Sequence, residues 1–115
     1  MRKSKLPKSV KVHGTKYTVV QKKRLIADDQ PIYGYCDLDS TTIAIQSGLS
    51  QERADAVLRH EIGHACWHET GFGHLAQQAI KDAGLLEMLE EDFVRRVLPA
   101  YVEAVKDSTP KTRRA

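Results

Sequence analysis

The sequence predicts an α+β fold in which a small, mostly antiparallel sheet packs on a long helix bearing a histidine pair and on a second long helix that follows it. Three observations carry this expectation: β-forming residues dominate positions 10–21 and 33–46, apolar residues recur at helical spacing from Ala54, and Gly71 and Gly84 punctuate the helical half. A chain of 115 residues that is 41% hydrophobic suits one domain with a modest core. We expect that domain to span residues 10–107, between a basic, flexible N-terminal segment 1–9 and a basic, flexible tail 108–115.

The elements follow in order. Val10 and Val12 alternate with lysine and histidine, Gly14 interrupts, and Tyr17, Thr18, Val19 and Val20 resume the extended pattern, which gives one bent strand or a short hairpin. The charged stretch 22–31 reads as a connection, with a short helical turn near residues 24–27. Residues 33–37 and 42–46 are short extended runs separated by Leu38, Asp39, Ser40 and Thr41, a hairpin pattern. Ser50 is suited to cap a helix, Glu52 places negative charge in its first turn, and Ala54, Val57, Leu58, Ile62 and Ala65 form its apolar stripe up to Gly71. Residues 73–83 form a short helix or an ordered loop. A second long helix then runs from Leu85 to about Val105, with Pro99 as a kink or break.

Charge and composition narrow the function classes. The net charge of +3 comes from 18 Lys and Arg against 15 Asp and Glu, and the surplus gathers at the two ends. That distribution argues against a nucleic-acid groove. No apolar run reaches the length of a membrane span, and no hydrophobic segment follows the basic N-terminus as in a signal peptide, so a cytoplasmic location is expected. Cys36 and Cys66 lack disulfide-scaffold or CxxC spacing and are expected to be reduced, packed thiols.

Chemistry concentrates in the first long helix. His60-Glu61-Ile62-Gly63-His64 is an HExxH pattern. Histidines four apart lie one turn apart on the same helix face, so both imidazoles can reach one zinc ion, which accepts them at about 2.0–2.1 Å and leaves a position for water. Glu61, next to the first histidine, is placed to act as general base on that water. Gly63 weakens a helix by about 1 kcal/mol relative to alanine, which suits the close approach of another chain segment.

A third ligand must come from elsewhere. Leu86, Leu89, Phe93, Val97 and Tyr101 define an apolar stripe on the second long helix, and Glu90 falls near its middle, where an unpaired carboxylate is unfavourable and a metal ligand is not. Glu91 lies toward the side of Leu98 and Val102 and is the alternative. The glutamate that does not ligate can hydrogen-bond a ligating histidine. His74, after Gly71 and Gly73, is a rival ligand. His68 reads as a rim residue and His13 as a surface one. Among the tyrosines, Tyr33, Tyr35 and Tyr101 are weaker candidates as oxyanion donors, Tyr101 foremost. Thr42–Gln46, just before the helix, is either a substrate-pairing edge strand or an ordinary core strand.

With YGYCDLDSTTIAI at 33–45, LRHEIGHACW at 58–67 and LLEMLEEDFVRRVLPAY at 85–101, the chain resembles compact zincin-like metallopeptidases of phage and prophage origin, related in layout to the minimal gluzincins and to the ImmA/IrrE group. The resemblance covers residues 33–101. It implies a zinc peptidase in which His60, His64 and one of Glu90 or Glu91 hold the ion, Glu61 acts as base, and the substrate is a peptide or a regulatory protein of a phage or its bacterial host. A zinc-stapled structural or binding protein is the rival from another class. A fainter resemblance to SprT-type proteases implies a DNA-associated protease with His74 as third ligand.

Overall fold

The computed structural model describes residues 4–108. Residues 1–3 of the expected N-terminal segment and 109–115 of the expected tail lie outside the described residues. Ser4 donates from its hydroxyl to the Leu49 carbonyl (2.9 Å), and Gln51 donates to the Lys5 carbonyl (2.7 Å), so this stretch runs along the start of the first helix.

The fold is α+β, with a four-stranded sheet in the order β1-β2-β6-β5. Strands β1 (Ser9–Val12) and β2 (Thr15–Lys22) form an antiparallel hairpin. His13 (φ 48°) and Gly14 (φ 89°) turn it through the left-handed region, so the interruption at Gly14 is a hairpin turn rather than a bend. Strands β3 (Ile26–Ala27) and β4 (Gln30–Pro31) make a separate two-stranded ribbon where a helical turn was expected. Asp28 and Asp29 take φ of 51° and 62°. Two consecutive left-handed residues close a tight hairpin, and aspartate tolerates that region better than most residues.

Strand β5 (Gly34–Asp37) pairs antiparallel with β6 (Thr42–Gln46), as the pattern predicts. Strand β6 also pairs in parallel with β2, with Val19 opposite Ile43, and this makes it an interior strand. Ile43, Ala44 and Ile45 are all fully buried, so both faces of β6 are covered. Thr42–Gln46 is therefore a core strand, and the edge on that side belongs to β5. One sheet face, through Tyr17, Val19, Ile43 and Ile45, packs on Ala54, Leu58 and Ala65 of helix α1 (Gln51–Glu69).

Ser50 caps α1, its hydroxyl accepting from the Arg53 amide at 3.2 Å. At the other end the Tyr17 hydroxyl donates to Glu69 (2.6 Å) and Thr15 donates to its second oxygen (2.9 Å), pinning α1 to β2. These two hydrogen bonds, that of Tyr17 first, hold the Glu69 carboxyl below its ordinary range. A carboxyl depressed on folding stabilises the fold above its unfolded pKa and loses that contribution as pH falls through the folded value. Tyr17→Phe is accordingly expected to lower the thermal midpoint at neutral pH, with the deficit shrinking as pH is taken below about 4. Thermal melts of both proteins across that range check this; a deficit independent of pH overturns it.

Helix α2 (Phe72–Ala79) follows the left-handed Gly71. Its Phe72 and Gly73 pack against the buried Trp67, whose ring also meets Phe93 at 5.3 Å. The second long helical run comprises α3 (Ala83–Asp92), a π-helical turn Phe93–Val97, and α4 (Leu98–Ser108). The Leu98 amide reaches the Phe93 carbonyl in an i→i+5 bond just before Pro99, which has no amide to donate. A wide turn relieves the clash a proline ring makes inside a regular helix, so Pro99 produces a π turn rather than a break.

The π turn also resets which residues face the body. Val94 is buried at 3% exposure, whereas Val97 and Tyr101 are 55% and 65% exposed. The inward row is Glu90, Val94 and Leu98, four residues apart as a widened turn demands, in place of the expected stripe through Val97 and Tyr101. Val94 and Leu98 lie directly over Gly63: a β-carbon there would sit 3.0 Å from Val94 and 3.1 Å from Leu98. This is the close approach that the glycine implied.

Candidate metal centre

Helix α1 projects His60 and His64 from successive turns toward α3. Their Nε2 atoms stand 3.3 Å apart, and the His64 Nε2 lies 3.5 Å from a Glu91 carboxylate oxygen. One donor atom from each of His60, His64 and Glu91 falls within 4.8 Å of the others. Ligand atoms about 2.0–2.1 Å from a shared ion at tetrahedral angles lie about 3.3–3.4 Å apart. The two separations, 3.3 and 3.5 Å, lie close to that edge, and 3.3 Å is long for an N–H···N hydrogen bond between the rings. Two imidazoles and a carboxylate at this spacing fit a divalent zinc ion.

The remaining groups orient these three. The His64 Nδ1 donates to Glu90 at 2.8 Å. That bond places the proton on Nδ1 and leaves the Nε2 lone pair facing His60 and Glu91. Glu90 also lies 3.4 Å from His68 Nε2, so it bridges two histidines at the rim. Arg95 donates to the second oxygen of Glu91 at 3.0 Å and steadies that carboxylate. Burial first, and then the closeness of the His64 ring, hold His60 below the usual imidazole range, which favours the neutral form that ligates metals.

Glu61 is 8% exposed. Burial raises its carboxyl to about 7, with His64 opposing the shift and Glu91 adding to it. It faces β5, where a β-carbon on Gly34 would come within 3.5 Å of the Glu61 side chain. Beside it on β5, burial pushes the Cys36 thiol up to about 12, with the Glu61 charge second, and both cysteines are free. Cys36 is half-buried and packs against the core.

No protein-family model matches this chain, and neither a curated protein nor a solved structure matches it. The α+β layout with an HExxH helix and a distal glutamate is consistent with a zincin-like architecture. Its site rests on the geometry above.

The structure thus brings His60, Glu61, His64, Glu90 and Glu91 together. His74 lies apart on α2, where it pairs with Gln78 at 3.1 Å. The Tyr35 hydroxyl accepts from Lys22, and Tyr33 lies beneath the Arg53 guanidinium. Tyr101 lines a groove of about 940 Å³ that begins at His60 and runs between α1 and α4. Arg95 was not among the residues singled out, although its place four residues after Glu91 is a legible helical ion-pair signal.

Proposed function

We propose that this protein is a zinc-dependent metallopeptidase that hydrolyses peptide bonds. The observation that carries the reading is the convergence of His60, His64 and Glu91, with 3.3 Å between the histidines, 3.5 Å from His64 to Glu91 and all three donor atoms within 4.8 Å, beside the buried Glu61 one residue after the first histidine. His60, His64 and Glu91 would hold the ion, and Glu90 would fix the tautomer of His64. In this reading Glu91 replaces Glu90 as third ligand, because Glu90 spends its nearest oxygen on His64 Nδ1. When bound, zinc supplies Lewis acidity, polarising a carbonyl and making water acidic near neutral pH. Glu61 accepts the proton of the attacking water and returns it to the leaving amine. Strand β5 has no strand partner on its outer side among the described residues, and that edge can pair with an extended peptide beside Glu61.

No helix among the described residues is long and apolar enough to cross a membrane. We place the activity in the cytoplasm of a bacterial host, on a phage or host regulatory protein. A zinc clamp with little turnover is the second reading. It is favoured by one observation: α3 and α4 bury no residue, so closure of the cluster would tether them to α1.

Metal analysis tests both readings. One equivalent of zinc per chain is expected, and chelation should lower the thermal midpoint, since a ligand at about 100 times its Kd stabilises by about 2.7 kcal/mol. Glu90→Ala should weaken zinc binding by about 10- to 100-fold, the loss typical for a partner of a ligating histidine, and Glu91→Ala by more. A competition titration measures both. A larger loss for Glu90→Ala would return Glu90 to the ligand set, and a chain that binds no zinc overturns the proposal.

A further inference from the structure

Beside Glu61 lies a cavity of about 470 Å³, lined by Tyr33 and Gly34 ahead of and within β5, by Arg53, Ala56, Val57, His60 and Glu61 of α1, and by Arg95 of the π turn. Its volume falls in the range of small-ligand sites, enough for a short stretch of a bound chain. Two of its side chains are guanidiniums, and Glu61 is the one acid among them. Arg95 is paired with Glu91 at 3.0 Å. Arg53 forms no ion pair among the described residues, and its guanidinium stands 5.2 Å from the centre of the Tyr33 ring. Arg53 and Tyr33 are both exposed at the mouth of this cavity, and guanidinium donors match the two oxygens of a carboxylate.

We propose that this cavity is a carboxylate-recognition subsite, in which Arg53, steadied by Tyr33, receives an anionic group of the peptide substrate next to the bond being cut. Gly34 makes the adjacency: a β-carbon there would come 2.7 Å from Val57 and 2.9 Å from the Ala44 carbonyl, so only glycine lets β5 lie this close to α1. The cavity wall thereby joins the strand edge, Glu61 and His60 in one surface. Arg53 acts as a specificity-determining residue and takes no part in proton transfer. The inference rests on the peptidase reading of the same site, and the carboxylate has two sources, a free C-terminus or an acidic side chain.

Four probes separate these sources: N-acetyl-trialanine as the free acid, the same peptide as its C-terminal amide, and amidated N-acetyl tripeptides with a central glutamate or glutamine. Binding to the zinc-loaded protein is followed by chemical-shift titration, in which cleavage is visible in the same spectra. One of the two acids is expected to bind about tenfold or more tighter than its neutral counterpart. Preference for the free terminus assigns an exopeptidase-type subsite, and preference for glutamate assigns selectivity for an acidic residue. The preference should vanish in Arg53→Gln, persist in weakened form in Arg53→Lys, and survive in Arg59→Gln, which alters an arginine lining the neighbouring groove instead. Equal binding of acids and neutral peptides overturns the inference, as does a preference that survives Arg53→Gln, which would mean that the carboxylate binds the ion. Acid preference without cleavage would sink the peptidase reading while leaving the subsite standing, and cleavage without acid preference would do the reverse.

Discussion

Glu61→Gln is expected to lower peptide hydrolysis by about 10²- to 10⁴-fold while zinc stays bound at one equivalent. Glutamine keeps the length of the side chain but cannot take a proton from water and hand it on. The substitution should be mild for the fold, because Glu61 makes no ion pair among the described residues and carries a carboxyl that burial already raises to about 7. Removing a charge from an apolar setting lifts a desolvation cost, so the thermal midpoint should hold or rise. The measurements are turnover on a quenched fluorescent peptide library, zinc content and a melt, all on both proteins. A chain that binds zinc yet shows no turnover in either form is the zinc clamp, and a variant that retains most of its activity removes Glu61 from the mechanism.

The histidine pair was legible because its information is local: HExxH is a spacing within one helix, and Ser50 and Gly71 bound that helix in the linear sequence. The strand pattern was legible for the same reason, since alternation and turn residues marked β1, β2, β5 and β6. Pairing was less so. The parallel contact of β2 with β6 joins segments more than twenty residues apart, and no local pattern distinguishes an interior strand from an edge one. The choice between Glu90 and Glu91 failed to resolve for a different reason. Both carboxylates reach the His64 ring, Glu90 at Nδ1 and Glu91 at Nε2, and periodicity does not say which ring nitrogen each one meets. Separately, the π turn ahead of Pro99 moves the inward face from Val97 and Tyr101 to Val94 and Leu98. The aspartate pair at 28 and 29 was readable in principle as a left-handed turn, and the charged composition around it concealed the ribbon.

Gly63→Leu is expected to disable the metal centre without touching a ligand. Val94 and Leu98 occupy the space over Gly63, with contacts of 3.0–3.2 Å to the position of a β-carbon, so a leucine there has to push the π turn away from α1. Overpacking of this kind costs about 1–3 kcal/mol of stability. The π turn begins two residues after Glu91 and carries Arg95, so its displacement draws that carboxylate from the imidazoles. Zinc affinity should then fall toward that of Glu91→Ala, although His60, Glu61 and His64 are unchanged. Gly63→Ala is the informative control, because alanine favours the helix by about 1 kcal/mol while its methyl meets only the ends of two side chains, which can yield by a few tenths of an ångström. Its stability and zinc affinity should stay near those of the parent chain. Calorimetric zinc titrations and melts of the three proteins decide the matter: if Gly63→Leu binds zinc as tightly as the parent, the ion does not depend on the later helix, and the coupling of Glu91 to the site through helix packing is wrong.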